Sequence, residues 1–168
     1  MALVLVGGGS RSGKSTYALT LARALPQPRA FVATAQAYDD EMRDRIARHQ
    51  EERAEEFATC EEPFDISAAI KKLEGTHPVI IVDCLTLWLT NLMLAEQDWR
   101  AAGQDLVAAL PAQRDSIVFV TNEVGSGIVP ENALARAFRD AAGTLNQWIA
   151  AQADEVILAV AGLPMKVK

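Results

Sequence analysis

Gly8-Gly9-Ser10-Arg11-Ser12-Gly13-Lys14-Ser15 is the stretch that decides the fold of this chain. It fits the pattern G-x-x-x-x-G-K-[ST], follows an apolar run at residues 2–6 and precedes a helical pattern over 16–25. A strand, a glycine-rich loop and a helix in this order are the context in which the pattern binds nucleotide phosphates. The stretch therefore predicts a phosphate-binding loop in which Lys14 supplies a positive charge and Ser15 is placed to hold Mg²⁺. The alternative is a glycine-rich turn that contains Gly-Lys-Ser by chance.

The composition is that of an ordinary globular domain. The chain has 168 residues, of which 50% are hydrophobic and 23% are charged. This length is enough for one hydrophobic core but too short for two domains with a core of ordinary size. We therefore expect a single domain over residues 1–168. The net charge of −6 argues against a nucleic-acid or anionic-membrane surface, because no basic cluster offsets the repulsion.

The sequence also indicates the compartment. No apolar run approaches the ~20 residues that a transmembrane helix needs, and the first run lacks a basic leader. We therefore expect a cytoplasmic protein without membrane insertion. Cys60 and Cys84 make only one possible pair, and with no secretion signal both are predicted to be reduced thiols.

Strand-like and helix-like segments alternate along the chain. Buried strands are predicted at Arg29–Ala33, Val79–Asp83, 116–120 and 155–161, and helices at 38–57, 64–73, 99–113 and 130–153. A turn is predicted at 60–63, and a stop after the last strand at 162–164. The alternation indicates an α/β domain of the P-loop NTPase fold, with a mainly parallel sheet flanked by helices, whereas the strand order cannot be read from the pattern.

Polar residues follow three of the predicted strands. Asp83 closes its strand in the position of the Mg²⁺-associated carboxylate that accompanies a phosphate loop, and an N-cap role is a compatible alternative. Thr34, Ala35 and Gln36 follow the second strand and are predicted to contact the nucleotide. Thr121-Asn122-Glu123 opens a glycine-containing loop after the fourth. Because open α/β sheets place ligands beyond the carboxyl ends of their strands, these groups are expected near the phosphate loop.

Taken together, the motifs resemble the adenosylcobinamide kinase / adenosylcobinamide-phosphate guanylyltransferase family of cobalamin biosynthesis. Besides residues 8–15, the resemblance rests on Ala33-Thr34-Ala35, Asp40-Glu41-Met42, Arg45-Ile46, His49, Arg53, Glu61-Glu62-Pro63, Asp83-Cys84-Leu85-Thr86 and, above all, Val120-Thr121-Asn122-Glu123-Val124-Gly125 with Gly127-Ile128-Val129-Pro130. It spans nearly the whole chain. The resemblance implies a bifunctional enzyme that phosphorylates the aminopropanol hydroxyl of adenosylcobinamide with ATP or GTP. The same enzyme then transfers GMP from GTP to that phosphate and releases pyrophosphate.

His49 is where the resemblance places a histidine that becomes covalently guanylylated. Arg45 and Arg53 lie four residues before and after it, so on a helix the three side chains share one face. The two cations would disfavour imidazolium and would contact phosphate. From the residues alone, an ordinary surface histidine in a charged helix is the alternative.

The resemblance implies further ligand contacts. For the base and ribose of the nucleotide it implies Gln50, Glu51, Glu52 and Arg53, together with Glu61 or Glu62. A carboxylate suits guanine, which offers adjacent N1–H and N2–H₂ donors. Asn122 and Glu123 are predicted to bind the acceptor or to complete the outer shell of the metal.

The resemblance also bears on the substrate and the assembly, while the residues leave two alternative functions open. The resemblance implies a corrinoid substrate and a homo-oligomer, with a trimer as the predicted form. One alternative is a monofunctional P-loop kinase of another small alcohol, although no clear arginine-rich lid occurs. A guanine-nucleotide switch is another alternative, although the motif Asn-Lys-x-Asp is absent from the sequence.

Overall fold

The computed structural model describes residues 2–36 and 56–168, and the elements below belong to these ranges. In chain order they are β1 (Leu3–Gly8), α1 (Lys14–Arg23), β2 (Arg29–Ala33), β3 (Ala58–Glu61), α2 (Ile66–Leu73), β4 (Val79–Asp83), α3 (Leu85–Leu94), α4 (Trp99–Ala109) with a 3₁₀ turn (Leu110–Ala112), β5 (Ser116–Asn122), α5 (Ala133–Gln152), β6 (Glu155–Val160) and β7 (Leu163–Lys166). No helix in the described ranges is long and apolar enough to cross a membrane.

The described strands form one seven-stranded sheet in the order β3-β2-β4-β5-β1-β6-β7. All neighbouring strands pair in parallel except β7, which runs antiparallel to β6. The predicted mainly parallel sheet is therefore confirmed. In this order β5 separates β1 from β4, and at about 4.8 Å per strand the backbones of β1 and β4 lie about 10 Å apart.

Two apolar clusters cover the two faces of the sheet. Residues alternate between the faces along each strand, so in β5 Ile117 and Phe119 join one cluster while Val118 and Val120 join the other. The first cluster packs against α2 to α5, and the second packs against α1. Because β1, β2, β4 and β5 are buried on both faces, they read as continuous apolar runs.

Both edge strands differ from the prediction. The turn predicted at 60–63 is wrong, since Cys60 and Glu61 pair with Val32 and Ala33 as the end of β3. The stop predicted at 162–164 is right in that β6 ends at Val160 before a turn, and wrong at Leu163 and Pro164, where β7 begins. β3 and β7 are mostly exposed, so neither shows an apolar run. The helix predicted at 38–57 lies outside the described residues except for its last two, which are not helical.

Candidate active site

The phosphate loop lies between the end of β1 and the start of α1. Gly13 is the N-cap of α1 and has a φ of 91°, in the left-handed region that favours glycine. Gly8, the last residue of β1, leaves no room for a side chain, because a Cβ there would lie 2.7 Å from the Ala159 carbonyl oxygen. The two glycines are therefore required by the turn and by the close approach of β6.

Three features of the loop suit a bound anion. The Lys14 Nζ donates a hydrogen bond to the Gly9 carbonyl at 3.1 Å, so the ammonium group is folded over the loop. The Ser12 Oγ is buried and has no hydrogen-bond partner within the described ranges. The start of α1 has neither a side-chain cap nor an acidic residue in its first turn. A helix start with free N–H groups beside a lysine fits phosphate groups.

The loop is supported from outside by the turn between β6 and β7. The Gly162 N–H donates to the Ser12 carbonyl at 2.9 Å. A Cβ on Gly13 would lie 3.0 Å from the Gly162 Cα, so the two backbones are in contact. This contact was not predicted from the sequence, where residues 162–164 read only as a stop.

Substitution of Gly8 by alanine tests the close approach of β1 and β6. We expect Gly8→Ala to lower the free energy of unfolding by about 1–3 kcal/mol, as overpacking usually does, and to weaken the binding of GTP. Thermal unfolding with and without GTP measures both effects. Gly9→Ala is the matched control for folding, because a Cβ there meets no atom within 4 Å. An unchanged melting temperature for Gly8→Ala would contradict the packing.

Asp83 ends β4 and pairs in register with Ala33 of β2 and Val120 of β5. Within residues 2–36 and 56–168, no three carboxylate, histidine or cysteine side chains are grouped to hold a metal by themselves. Mg²⁺ is commonly held by one or two carboxylates together with water and substrate phosphates. The single carboxylate at the end of β4 and the hydroxyl of Ser15 at the start of α1 fit that pattern.

The tip of β5 reaches the phosphate loop directly. The Glu123 N–H donates to the Gly8 carbonyl at 3.0 Å. The Glu123 carboxylate accepts a hydrogen bond from the Gly125 N–H at 2.6 Å and so shapes the loop that follows. The prediction that the strand ends bring these groups near the phosphate loop agrees with this contact.

Buried threonines connect the carboxyl ends of neighbouring strands. The Thr34 Oγ1 donates to the Cys84 carbonyl at 2.8 Å and accepts from the Cys84 N–H at 2.7 Å. The Thr86 Oγ1 accepts from the Asn122 N–H at 2.7 Å and lies 3.3 Å from the Thr121 Oγ1. Thr121 in turn donates to Asn146 of α5 at 2.8 Å. These bonds fix the edge of the sheet on which the site is built.

Glu61 and Glu62 lie at the carboxyl end of β3, on the same edge of the sheet. The Glu62 Oε1 accepts hydrogen bonds from the Phe64 N–H at 3.0 Å and the Asp65 N–H at 2.8 Å. The carboxylate of Glu62 therefore stabilises the turn into α2. The side chain of Glu61 is exposed.

Comparison with known proteins identifies the family. Residues 4–167 match the profile of the family described as cobinamide kinase / cobinamide phosphate guanyltransferase. The chain belongs to this cobinamide kinase family. It is 42% identical to the bifunctional adenosylcobalamin biosynthesis protein CobP of Pseudomonas aeruginosa, over 98% of this chain and 96% of that protein. It is 40% identical to the corresponding protein CobU of Salmonella typhimurium, over 99% of both chains.

Solved structures establish the fold of this cobinamide kinase family member. The RadB recombinase has a TM-score of 0.54 at 17% identity, over 94% of this chain and 73% of that one. The flagellar accessory protein FlaH from Methanocaldococcus jannaschii has a TM-score of 0.53 at 15% identity, over 94% and 70% of the two chains. The predicted P-loop NTPase fold is confirmed. Fold and family together make this chain a nucleotide-binding protein.

The structure brings together only part of the predicted site. Residues 8–15, Asp83, Asn122 and Glu123 share the carboxyl edge of the sheet. Thr34 is buried with its hydroxyl bonded to Cys84, so its side chain supports the edge of the site from within. The guanylylation site of the family, predicted at His49, lies outside the described residues, as do Gln50, Glu51, Glu52 and Arg53.

Cys84 lies beside the predicted metal ligand of this cobinamide kinase family member. Its side chain is 4% exposed. Burial, and secondarily the negative charge of Asp83, raises the pKa of the Cys84 thiol to about 11. A thiol in this setting stays protonated near neutral pH and is a poor nucleophile.

The two cysteines are therefore expected to differ in reactivity. At pH 8 only about one Cys84 thiol in a thousand is ionised when the pKa is near 11, whereas Cys60 lies half-buried on edge strand β3. We expect iodoacetamide to add one carbamidomethyl group to the native protein, at Cys60, and a second only after denaturation. Intact-mass analysis measures this, and Cys60→Ser should leave the native protein unmodified. Rapid alkylation of native Cys84 would contradict its burial.

Proposed function

We propose that this chain, as one domain over residues 1–168, catalyses both reactions for which its family is described. The first is phosphorylation of adenosylcobinamide by ATP or GTP. In the second, GMP is transferred from GTP to the phosphate so formed, and pyrophosphate is released. The observation that carries this proposal is the match of residues 4–167 to a family described by both activities. The geometry of the phosphate loop supports it.

For the kinase step, Lys14 and the first N–H groups of α1 bind the phosphate chain of the donor. Ser15 and Asp83 would hold Mg²⁺, which neutralises the phosphate charge when bound. The aminopropanol oxygen forms a bond to the γ-phosphorus while the bond to the β-phosphate oxygen breaks. Asn122 and Glu123 orient the acceptor in this proposal, which their position at the tip of β5 beside Gly8 supports.

For the guanylyl step, a ring nitrogen of His49 forms a bond to the α-phosphorus of GTP, and pyrophosphate leaves. An oxygen of adenosylcobinamide phosphate then attacks the same phosphorus, and the P–N bond breaks. Arg45 and Arg53, four residues on either side in the sequence, supply positive charge for the phosphate.

Guanine recognition is proposed for Glu61 or Glu62 at the carboxyl end of β3. The Glu62 carboxylate also accepts two backbone hydrogen bonds at the start of α2. Either carboxylate carries the acceptor pair that guanine N1–H and N2–H₂ require. Gln50, Glu51, Glu52 and Arg53 complete the base and ribose contacts in this proposal.

The protein incubated with GTP and Mg²⁺ tests the function directly. Intact-mass analysis should show an adduct of the mass of GMP, stable to base and labile to acid. Adding adenosylcobinamide should remove the adduct and yield adenosylcobinamide-GDP by liquid chromatography and mass spectrometry. Phosphorylated acceptor without the adduct would indicate a plain kinase, and GTP binding without either product would indicate a switch.

The assembly is proposed to be a homo-oligomer, with three subunits as the predicted number. Light scattering coupled to size-exclusion chromatography measures the subunit count. A monomer at micromolar concentration would contradict this part of the proposal.

A further inference from the structure

An exposed apolar surface lies between the end of α3 and the start of α5. Of the eight large apolar side chains that are exposed in the described ranges, four belong to this region: Leu94, Ile128, Val129 and Leu134. We call them the loop–groove surface. Ile128 is 96% exposed. Leu94 and Leu134 line a groove of about 270 Å³. Ile128 and Val129 lie four and three residues before Asn132, which also lines the groove. Exposed apolar side chains beside an apolar groove commonly mark a binding surface.

The groove presents almost no polar groups to a ligand. Its two polar lining side chains are already bonded within the protein: the Thr90 hydroxyl donates to the Thr86 carbonyl at 3.0 Å, and the Asn132 Oδ1 accepts from the Ala135 N–H at 3.0 Å. The remaining lining includes Met93 and Phe138. A groove of this kind favours methyl and methylene groups over charged ones.

The loop that carries Ile128 and Val129 is held at both ends by hydrogen bonds from arginine side chains. At its start the Arg139 guanidinium donates to the Gly125 carbonyl. At its end the Arg136 guanidinium donates to the carbonyls of Pro130 at 3.0 Å and Glu131 at 2.6 Å. The two exposed side chains between these bonds contribute little to the core. The exposure of these two apolar side chains, on a loop held by hydrogen bonds, is therefore better explained by ligand binding than by a contribution to folding.

Helix α5 packs on the opposite face of the sheet from α1, but it brings this surface to the same carboxyl edge as the phosphate loop. Asn146 of α5 bonds to Thr121 at the carboxyl end of β5, and Asp154, just after the helix, bonds to Leu3 at the start of β1. The helix thus runs from the carboxyl edge to the amino edge. Its residues before Asn146 rise about 20 Å beyond the carboxyl edge at 1.5 Å per residue.

Helix α3 lies across the same edge. Thr86, in its first turn, bonds to the tip of β5, and Asn91 donates to the Thr34 carbonyl at the end of β2 at 2.8 Å. The loop itself starts at Glu123, whose N–H bonds to Gly8. The loop–groove surface and the phosphate site therefore belong to the same edge of the sheet, and the loop that starts at Glu123 joins them along the chain.

We propose that the loop–groove surface binds the corrin ring of the acceptor. This inference rests on the proposed function, in which Asn122 and Glu123 orient the reacting arm of the acceptor and no residue is yet assigned to its corrin ring. A corrin ring is broad, its rim carries methyl groups, and its aminopropanol arm extends away from the ring. With the ring on Ile128 and Val129 and part of the rim in the groove, that arm points along the loop toward Glu123 and the phosphate loop.

Two variants test the surface. Ile128→Ser with Val129→Ser removes exposed apolar area without disturbing the core, and we expect the KM for adenosylcobinamide to rise at least about tenfold. Ala135→Leu, which fills the groove from α5, is expected to raise it similarly. The KM for the nucleotide and the yield of GMP adduct should stay within twofold of the unchanged protein. Equilibrium dialysis of cobinamide, followed by its visible absorbance, measures acceptor binding without turnover.

The matched control is Met165→Ser with Val167→Ser. Met165 lies in β7 and is 52% exposed, and Val167 follows β7 and is 62% exposed, so this double variant also removes exposed apolar side chains. It should leave the acceptor KM unchanged. A normal acceptor KM in both loop–groove variants, or an equal rise in the control, would overturn the inference alone. A smaller oligomer with normal acceptor binding would assign the surface to a second copy of the chain instead. Absence of cobinamide phosphorylation by the unsubstituted protein would overturn the proposed function as well.

Discussion

Replacement of Lys14 by alanine is expected to lower kcat/KM for phosphorylation of adenosylcobinamide by about a thousandfold, the scale on which charge stabilisation at a transferred phosphate acts. In the structure the Lys14 ammonium lies over the loop at 3.1 Å from the Gly9 carbonyl, so a small movement exchanges that carbonyl for a phosphate oxygen. Steady-state kinetics with ATP and with GTP measures the loss. Since Lys14 is half-buried and makes no ion pair with any residue in the ranges 2–36 and 56–168, folding should change little.

Two further variants separate the charge of Lys14 from its position. Lys14→Arg keeps the charge on a longer planar group and should recover only a small part of the activity, because arginine and lysine are not interchangeable at a close phosphate contact. Lys166→Ala removes an exposed lysine that pairs with Glu155 and should behave like the unsubstituted protein. Near-normal kinase activity in Lys14→Ala would show that residues 8–15 do not hold the transferred phosphate.

Replacement of His49 by alanine is expected to abolish the GMP adduct and the formation of adenosylcobinamide-GDP. The reason is chemical: without the ring nitrogen no P–N bond can form, so the loss should be complete within detection. Phosphorylation of adenosylcobinamide should remain within about twofold, because the kinase groups lie on β1, α1 and β4. Labelling with α-³²P-GTP and product analysis measure the two activities separately.

His77 provides the matched control for His49. It lies before β4, at the edge of the sheet opposite to the site, and its Nδ1 is 3.0 Å from the Thr76 Oγ1. His77→Ala should keep the adduct and both activities. Retained labelling in His49→Ala would place the guanylyl group on another residue, and loss of both activities would mean that the two reactions share one set of groups.

The buried part of the fold could be predicted because its strands are covered on both faces. The bounds predicted for β2 and β4, Arg29–Ala33 and Val79–Asp83, are those observed, since every residue of each run except Asp83 is buried. β3 and β7 were not predicted, for the opposite reason. Their residues are mostly exposed, Pro164 lies within β7, and only pairing with β2 or β6 defines them.

The candidate site likewise has parts that could be predicted from the sequence and parts that could not. Residues 8–15 are a contiguous motif whose function lies in its backbone, so the loop could be located from the sequence. The roles of Thr34 and Glu62 could not, because the sequence does not reveal that each side chain is already bonded to backbone groups within the fold. The contact between Ser12 and Gly162 could not be predicted either. It joins residues 150 positions apart and depends on the placement of β6 beside β1.

The contact between Ser12 and Gly162 affects the order in which the chain can fold during synthesis on the ribosome. The phosphate loop is among the first segments to be synthesised, whereas β6 and the turn at Gly162 that support it are among the last of the described elements. At 5–20 residues per second, about 8 to 30 seconds separate the two events. The phosphate loop therefore gains its contact with Gly162 only after the β6–β7 turn has emerged, and a nucleotide that bound earlier would meet a loop without this support.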